Sequence, residues 1–329
     1  MNRLMRAAVT TVTGVLWVVL LAPGAAAGQA FWPEDTPKIP MAKSWVAEKA
    51  LLPPYTPPRT PEGVPDLQGT WGGAGGDSFS FLEDHDYIDA TTPAQESFVS
   101  VPVDGNVPYT PWALAKRNEI LAGLSRGWPG ESAEPLYSPP GGFCLLAMPA
   151  IAFDGQEIVQ RPDSVIMLSD ESFRVIPIGG PPAISQDAKF WFGTSRGHWE
   201  GDTLVVEITS LNGGDWFDST GQFYSENTRM VERWTLVDAN TIDYELTIED
   251  PTIYTRPWTI NFAKRRAGSG PRGPRGTTAV RRALSTLPPV DDPHANEQWE
   301  SGCYEGNGAT LEGLRSVGFQ WFGGVTPPN

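Results

Sequence analysis

Short segments in which apolar and polar residues alternate, separated by turn residues, fill the chain from position 157 to position 263. This period of two is typical of β-strands with one buried face. Two connections, Glu200-Gly201-Asp202 and Asp238-Ala239-Asn240, are short enough to close hairpins, so an antiparallel meander is predicted. The predicted strands are 157–160, 164–168, 173–178, 190–199, 203–210, 229–237, 241–249 and 253–263. Because closure protects the edges of such a sheet, we expect a mainly β, antiparallel barrel.

Composition supports a loop-rich β protein and excludes several functions. The 329 residues include 35 Gly and 32 Pro without a collagen period. A formal net charge of −15 argues against nucleic acid or an anionic membrane as the main partner. Three His and two Cys are too few for zinc modules or iron–sulfur clusters. We therefore expect no metal and no cofactor.

The first 27 residues are predicted to be a signal peptide. Arg3 and Arg6 supply a positive start, residues 9–21 are apolar, and residues 25–27 are small, as a cleavage site requires. The alternative is an uncleaved anchor, which the short apolar run disfavours. We expect a periplasmic or secreted protein with no stable membrane insertion after the signal is removed.

The rest of the chain is predicted to form a Pro-rich extended arm at 28–65 and one domain at 66–329. Thr110 is a candidate N-cap for a helix that starts at Pro111 and ends near Gly123. A basic Gly/Pro-rich stretch at about 264–283 is predicted to be a solvated loop between strands. The alternative is a basic flap over an acidic ligand or partner.

The two cysteines, Cys144 and Cys303, are predicted to form a disulfide bond. An exported chain meets an oxidising compartment, and these are its only thiols. Closing so long a loop would stabilise the fold by about 4–5 kcal/mol in the chain-entropy model. Two buried free thiols are the alternative.

Two charged residues fall on otherwise apolar strand faces. Glu232 alternates in phase with Trp234, and Arg256 alternates in phase with Trp258. Because a buried charge is costly unless it is paired, one interpretation is a buried Glu232–Arg256 ion pair that fixes register. The other is a cavity in which Glu232, Arg256 and Tyr254 orient a ligand or act as catalytic residues. A β-bulge that reverses one face remains a third interpretation.

Aromatic residues on these faces, and in the connection before position 229, are candidate contacts for a ligand. At a barrel mouth that connection is either a lid or a loop packed on the rim. The candidate ligand-binding residues are Trp216, Tyr224, Trp234, Tyr244, Trp258 and His198.

Two further motifs are interpreted as features without a catalytic or metal-binding role. Gly193-Thr194-Ser195-Arg196-Gly197 matches the G-x-S-x-G pattern of serine hydrolases, but a strand, a turn and a strand follow it instead of the required helix. The acidic stretch 83–86 with Asp89 lacks the spacing of an EF-hand calcium loop and is predicted to be a solvated loop.

Several stretches resemble a family of uncharacterised exported bacterial proteins. The most specific are Trp199-Glu200-Gly201-Asp202-Thr203-Leu204-Val205-Val206 and Tyr254-Thr255-Arg256-Pro257-Trp258, and others lie at 65–71, 108–112, 231–234 and 303–307. Members often carry His in place of Tyr304 and near Phe223 and Tyr224. If those His residues perform acid–base chemistry, this chain has lost or altered it.

Gly69-Thr70-Trp71 is also similar to the G-x-W opening of lipocalins, where the Trp closes the barrel floor. This likeness implies a lipocalin-like (calycin-type) barrel with one or two helices and an interior site for one small molecule. The leading functional hypothesis is therefore an exported protein that binds a small hydrophobic or aromatic molecule. The alternatives are a cofactor-free lyase, isomerase or hydrolase that uses a buried carboxylate, and an assembly protein that uses the arm and the basic loop. Ligand identity and oligomeric state are left open.

Overall fold

The structure, a computed structural model, describes residues 34–72, 81–88, 92–124, 136–137, 155–169, 173–180, 188–218, 220–267, 316, 319–320 and 324–326. The helices in these residues are α1 (Ala42–Lys49) and α2 (Pro111–Gly123). The strands are β1 (Gly69–Trp71), β2 (Val99–Val101), β3 (Leu136–Tyr137), β4 (Gln156–Arg161), β5 (Ser164–Leu168), β6 (Phe173–Pro177), β7 (Thr194–Glu200), β8 (Thr203–Thr209), β9 (Arg229–Asp238), β10 (Thr241–Glu249), β11 (Trp258–Arg265) and β12 (Phe319–Gln320). Helix α2 confirms the predicted helix.

Antiparallel pairing dominates and confirms the mainly β fold class. Strands β2, β11, β10, β9, β8 and β7 lie in this order in a six-stranded sheet, and β1, β4, β5 and β6 form a four-stranded sheet. Strands β7 to β11 are neighbours in both sequence and space, as the predicted hairpins require. Gly201 turns the first hairpin at a φ of 60°, in the left-handed region that glycine tolerates.

The last strand of this meander starts at Trp258, later than predicted. Asp250 holds the preceding residues in a turn, because its Oδ1 accepts hydrogen bonds from the N–H and the hydroxyl of Thr252 at 2.9 and 2.6 Å. The N–H of Tyr254 donates to the Asp250 carbonyl at 2.8 Å. Arg256 therefore lies in an exposed loop, and its predicted position on an apolar strand face is wrong.

The two large sheets are linked at both edges. At one edge the N–H of Ala267 donates to the Thr70 carbonyl at 2.8 Å, and at the other the N–H of Gly179 donates to the Gly197 carbonyl at 3.0 Å. These links are isolated bridges rather than regular strand pairing. The structure therefore has two linked antiparallel sheets, and a continuous lipocalin-like barrel is not confirmed.

Trp71, the last residue of the G-x-W stretch, lies at the first of these edges. Its side chain is fully buried, and its Nε1 donates to the Leu67 carbonyl at 2.8 Å. The guanidinium carbon of Arg266 lies 4.2 Å from its ring centroid. Gly69 has a φ of 115°, a backbone conformation that other residues rarely adopt, so this position favours glycine.

The core lies between the sheets and contains charged side chains from each. Along β9 the buried residues alternate, and they are Met230, Glu232, Trp234 and Leu236. On β6 Arg174 and Ile176 are buried, whereas Phe173 is 68% exposed. Glu232 and Arg174 therefore face the same interior from opposite sheets.

Residues 42–49 of the predicted extended arm form helix α1 instead. Trp45 Nε1 donates to Asp243 Oδ1 at 2.8 Å, and Lys49 Nζ donates to Asp243 Oδ2 at 2.7 Å. Asp243 lies next to Tyr244 along β10 and so faces the opposite side of the sheet. Helix α1 thus covers the outside of the six-stranded sheet, and long-range contacts stabilise it where the sequence alone favoured an extended chain.

We expect Trp45→Phe to lower the free energy of unfolding by about 1–2 kcal/mol, because it removes a donor to a nearly buried carboxylate. Asp243 keeps a second buried donor, Asn261 Nδ2 at 2.7 Å, which limits the loss. Urea denaturation measures the effect. Lys49→Gln is the comparison variant. Lys49 also binds Asp243, but its side chain is 26% exposed, so this substitution should lower the free energy of unfolding by less than about 1 kcal/mol. Equal stability of Trp45→Phe and the wild type would contradict this role of α1.

Several predicted features lie outside the described residues. They are the signal peptide at 1–27, the Cys144–Cys303 disulfide, the basic loop beyond Ala267, Asp89 and Tyr304. These features stay predictions. Within the described ranges, no helix has the length and hydrophobicity needed to cross a membrane.

Candidate functional site

A buried ion pair connects the two sheets. Arg174 Nη2, on β6, donates to Glu232 Oε2, on β9, at 2.7 Å. The side chain of Glu232 is fully buried, and that of Arg174 is 8% exposed. Glu232 is inside, as predicted, but the predicted Glu232–Arg256 pair is wrong because Arg256 lies in the exposed loop before β11.

Tyr244 binds the other oxygen of this carboxylate. Strand β10 pairs with β9 so that Tyr244 lies opposite Trp234, and its hydroxyl donates to Glu232 Oε1 at 3.0 Å. Burial raises the pKa of the Tyr244 phenol well above its usual value, and the negative charge of Glu232 raises it further. The phenol therefore stays protonated and donates at neutral pH, and each Glu232 oxygen has a donor from the protein.

Trp234 and Lys264 lie beside the ion pair. The Trp234 ring packs edge-to-face on Tyr244, with ring centroids 4.6 Å apart. Lys264, on β11, is fully buried, and its Nζ lies 5.7 Å from the centroid of the Trp234 ring. An indole face attracts a cation at this distance. We call Glu232, Arg174, Tyr244, Trp234 and Lys264 the interior site.

Two buried donors of the interior site have no acceptor among the described residues. They are Arg174 Nη1 and Trp234 Nε1. A buried N–H group without an acceptor loses its hydration without compensation, at a cost of about 1–3 kcal/mol. Such groups in native proteins usually bind a water molecule or a ligand. The interior site can therefore donate hydrogen bonds to a guest.

The other predicted aromatic residues gather at one end of the six-stranded sheet. The ring centroid of Phe217 lies 5.3 Å from that of Tyr224 and 5.5 Å from that of Trp258. The Tyr254 and Trp258 centroids are 5.4 Å apart, and Trp216 in the same loop is 5% exposed. We call these five residues the aromatic end group. Their burial agrees with the interpretation of this loop as packed on the sheet.

Tyr254 forms its hydrogen bond at the aromatic end group and not with Glu232. Its hydroxyl donates to the Phe223 carbonyl at 2.8 Å, and burial raises the pKa of its phenol well above the usual value. The structure therefore does not bring the predicted trio of Glu232, Arg256 and Tyr254 together. Tyr224 Oη and Trp258 Nε1 have no hydrogen-bond partner among the described residues, so this group also contains unsatisfied polar atoms.

Asp218 lies in the loop that carries the aromatic end group. Its Oδ2 accepts from the Leu82 N–H at 3.0 Å and from Thr220 Oγ1 at 2.8 Å, and its Oδ1 accepts from the Thr220 N–H at 2.9 Å. Burial raises the pKa of the Asp218 carboxyl to about 6, while these hydrogen bonds and the charge of Arg117 act in the opposite direction. The loop is thus held by a carboxyl that titrates near neutrality.

We expect Asp218 to make the protein less stable as the pH rises from about 4 to about 6. Its pKa in the folded state, about 6, lies above the ordinary value of 3.8, so the folded protein holds the proton more tightly than the unfolded chain. This stabilisation is complete below pH 4 and is lost by pH 6 to 7, a difference of about 2–3 kcal/mol. Urea denaturation at several pH values in this range measures the effect. The free energy of unfolding of the wild type should fall relative to that of Asp218→Asn as the pH rises. Parallel stability curves for the two proteins would contradict the assignment.

His198 and Ser195 lie away from the interior site. His198 is 47% exposed, and its Nε2 lies 3.1 Å from Glu200 Oε1. Its neighbour Gly197 faces inward, since a Cβ there would lie 2.6 Å from Ile178 Cδ1. The structure therefore does not place His198 in the interior, and its contact with a ligand stays a prediction. Ser195 pairs with Ile208 inside strand β7, with no nucleophile elbow, which agrees with interpreting the G-x-S-x-G match as chance.

The acidic stretch 83–86 forms contacts within the protein. Lys38 Nζ lies 2.5 Å from Asp84 Oδ1 and 3.5 Å from Asp86 Oδ1. Glu83 Oε1 accepts from the N–H of Val107 at 2.8 Å. Among the residues that the structure describes, no group of three or more His, Cys, Asp or Glu is placed to hold a metal ion.

Sequence reasoning missed two members of the interior site. Arg174 alternates in phase with Ile176, and Lys264 alternates in phase with Phe262. The alternation that revealed Glu232 could have revealed both. Lys264 was instead assigned to the start of the basic loop, because β11 extends further than predicted.

The chain is thus a mainly antiparallel β protein with a charged, aromatic interior. Comparisons with models of protein families, with curated proteins and with solved structures find no match for it. The resemblance to exported bacterial proteins and to lipocalins therefore stays a prediction.

Proposed function

We propose that the protein binds a small hydrophobic or aromatic molecule in the interior between its sheets, in a barrel-like body that the edge bridges close. Support comes from the lining, in which Trp234 and Tyr244 flank a small number of charged groups. Ligand sites combine an apolar, aromatic lining with a few polar groups in this way. The proposed place of action is the periplasm or the exterior, and this rests on the N-terminal sequence.

The observation that carries the proposal is the pair of unsatisfied donors. Arg174 Nη1 and Trp234 Nε1 are buried and have no acceptor among the described residues. A ligand with an oxygen acceptor would satisfy them and recover the free energy that their burial costs. The expected ligand is therefore oxygenated as well as apolar.

Catalysis by Glu232 is the second candidate function, and its hydrogen bonds make it the weaker one. A general base needs a lone pair within reach of the proton that it removes. Both Glu232 oxygens already accept hydrogen bonds, from Arg174 at 2.7 Å and from Tyr244 at 3.0 Å. These contacts favour a carboxylate that orients Arg174 and Tyr244 over one that transfers protons.

Titration with N-phenyl-1-naphthylamine, a neutral fluorescent probe, tests the proposed function. We expect saturable binding with energy transfer from the interior tryptophans. Leu246 lies between Glu232 and Ile260 across the sheet, so Leu246→Phe should reduce the space and weaken binding about tenfold. Denaturation curves establish that the variant folds.

Phe173→Ser is the matched control, because Phe173 is 68% exposed and lies beside Arg174 on the outer face of β6. It should leave probe binding unchanged. Loss of binding in this control but not in Leu246→Phe would place the probe on the surface and overturn the proposal.

A further inference from the structure

We propose that the interior site receives an oxyanion, so that the natural ligand is an apolar acid whose carboxylate binds Arg174 and Trp234. This inference rests on the proposed function and adds the chemical class of the ligand. The starting point is the chemistry of the two unsatisfied groups, because both are N–H donors and one of them carries a positive charge.

The protein fixes the orientation of both donors. Glu232 Oε2 holds Arg174 Nη2 at 2.7 Å, and Met167 Sδ lies 3.2 Å from the same nitrogen, so the guanidinium plane is anchored through Nη2. Trp234 is held by the Tyr244 ring, with centroids 4.6 Å apart. Glu232 and Trp234 are alternate residues on one face of β9, so the ion pair and the Trp234 indole lie on the same side of the sheet.

A carboxylate suits these donors better than a neutral oxygen does. Its two oxygens can accept from two groups at once, and charge-assisted hydrogen bonds are about twice as strong as neutral ones. Arginine is the side chain most suited to binding a carboxylate in a buried setting, because its planar guanidinium is always charged. Lys264, with its Nζ 5.7 Å from the Trp234 ring centroid, places a second basic side chain beside the same indole.

The negative charge of Glu232 would repel an anion bound at the interior site. Its negative charge is bound on one oxygen by Arg174 and on the other by the Tyr244 hydroxyl. Because each oxygen accepts a hydrogen bond, the charge of Glu232 is partly compensated and its repulsion of an anion is reduced. Glu232 then serves as the positioning residue that turns Nη1 of Arg174 toward the guest.

Matched acids and methyl esters test the inference. Benzoate, 2-naphthoate and decanoate, each with its methyl ester, are titrated against the full chain at about pH 7 by tryptophan fluorescence and calorimetry. We expect at least one acid to bind about tenfold or more tightly than its ester, the ratio expected of one charge-assisted hydrogen bond.

Two variants test which residues cause the preference for the acid over its ester. Arg174→Lys keeps a cation for Glu232 but lacks the second nitrogen, and Trp234→Phe removes Nε1 while leaving the ion pair intact. Each should weaken acid binding about tenfold and ester binding by a smaller factor, because a neutral ester oxygen accepts weaker hydrogen bonds than a carboxylate oxygen does. Arg233→Lys is the control, because Arg233 is the next residue on β9, faces outward and pairs with Glu200. It should change neither affinity.

The outcomes separate the two proposals. Equal or tighter binding of the esters, or an acid preference that survives both variants, would overturn the oxyanion site while leaving the proposed function in place. Failure of all six compounds and of the neutral probe to bind would count against the proposed function itself.

Discussion

Arg174→Met is expected to lower the free energy of unfolding by about 3–5 kcal/mol, because it leaves the carboxylate of Glu232 buried without its counter-charge. Glu232 is fully buried and has Tyr244 as its remaining hydrogen-bond donor among the described contacts. Urea denaturation measures the loss. The double variant Arg174→Met/Glu232→Leu should recover most of it, since replacing both members of a buried pair by apolar residues is often neutral.

Arg233→Met is the matched control for this prediction. Arg233 also pairs with a glutamate, Glu200, but the two side chains are 38% and 48% exposed. An exposed pair contributes about 0–1 kcal/mol, so this variant should stay close to the wild type. If Arg174→Met were no less stable than Arg233→Met, the ion pair between the sheets would not exist in solution.

Trp71→Ala is expected to have an effect of similar size, about 3–5 kcal/mol, because it opens a large cavity at an edge where the two sheets meet. Trp71 is fully buried, and the substitution also removes its hydrogen bond to the Leu67 carbonyl and its contact with Arg266. Trp71→Phe keeps an aromatic ring and should lose only about 1–2 kcal/mol. Urea denaturation distinguishes the three proteins.

Phe173→Ala is the control for cavity formation. Phe173 belongs to the four-stranded sheet, as Trp71 does, but it is 68% exposed, so its truncation should change stability by no more than about 0.5 kcal/mol. A Trp71→Ala protein that unfolds at the same urea concentration as Phe173→Ala would show that the edge with Arg266 adds little to the fold.

Local pattern predicted strands β4 to β10 of this protein well, whereas β1, β2, β3 and β12 were missed because two or three residues are too few to show alternation. The strand at 241–249 occurs as predicted, because alternation and the turn at Asp238-Ala239-Asn240 both act within a few residues. The start of β11 was misplaced because Asp250 uses its side chain to hold a turn, which competes with the strand pattern of Tyr254 and Trp258.

The candidate site could be predicted only in part. Burial of Glu232 follows from alternation along a single strand, and the sequence revealed it. Its partner depends on how β6 faces β9 across the interior, where the paired residues are 58 positions apart in sequence, and no local pattern contains that information. Helix α1 was missed for the same reason, since Asp243 on a distant strand and Glu96 in a loop supply contacts that hold it.

The attachment of α1 also sets an order of events during folding. Trp45 and the carboxylate that it binds are separated by 198 positions, so the ribosome synthesises the α1 segment long before it synthesises strand β10. Until then the long-range partners of α1 are residues near Glu96, which accepts from Ser44 Oγ at 2.9 Å, and a helix this short is marginal in water on its own. Contacts this distant in sequence form slowly because a long loop must close first. The part of the described chain that is made first thus completes its contacts only after strand β10 has been made.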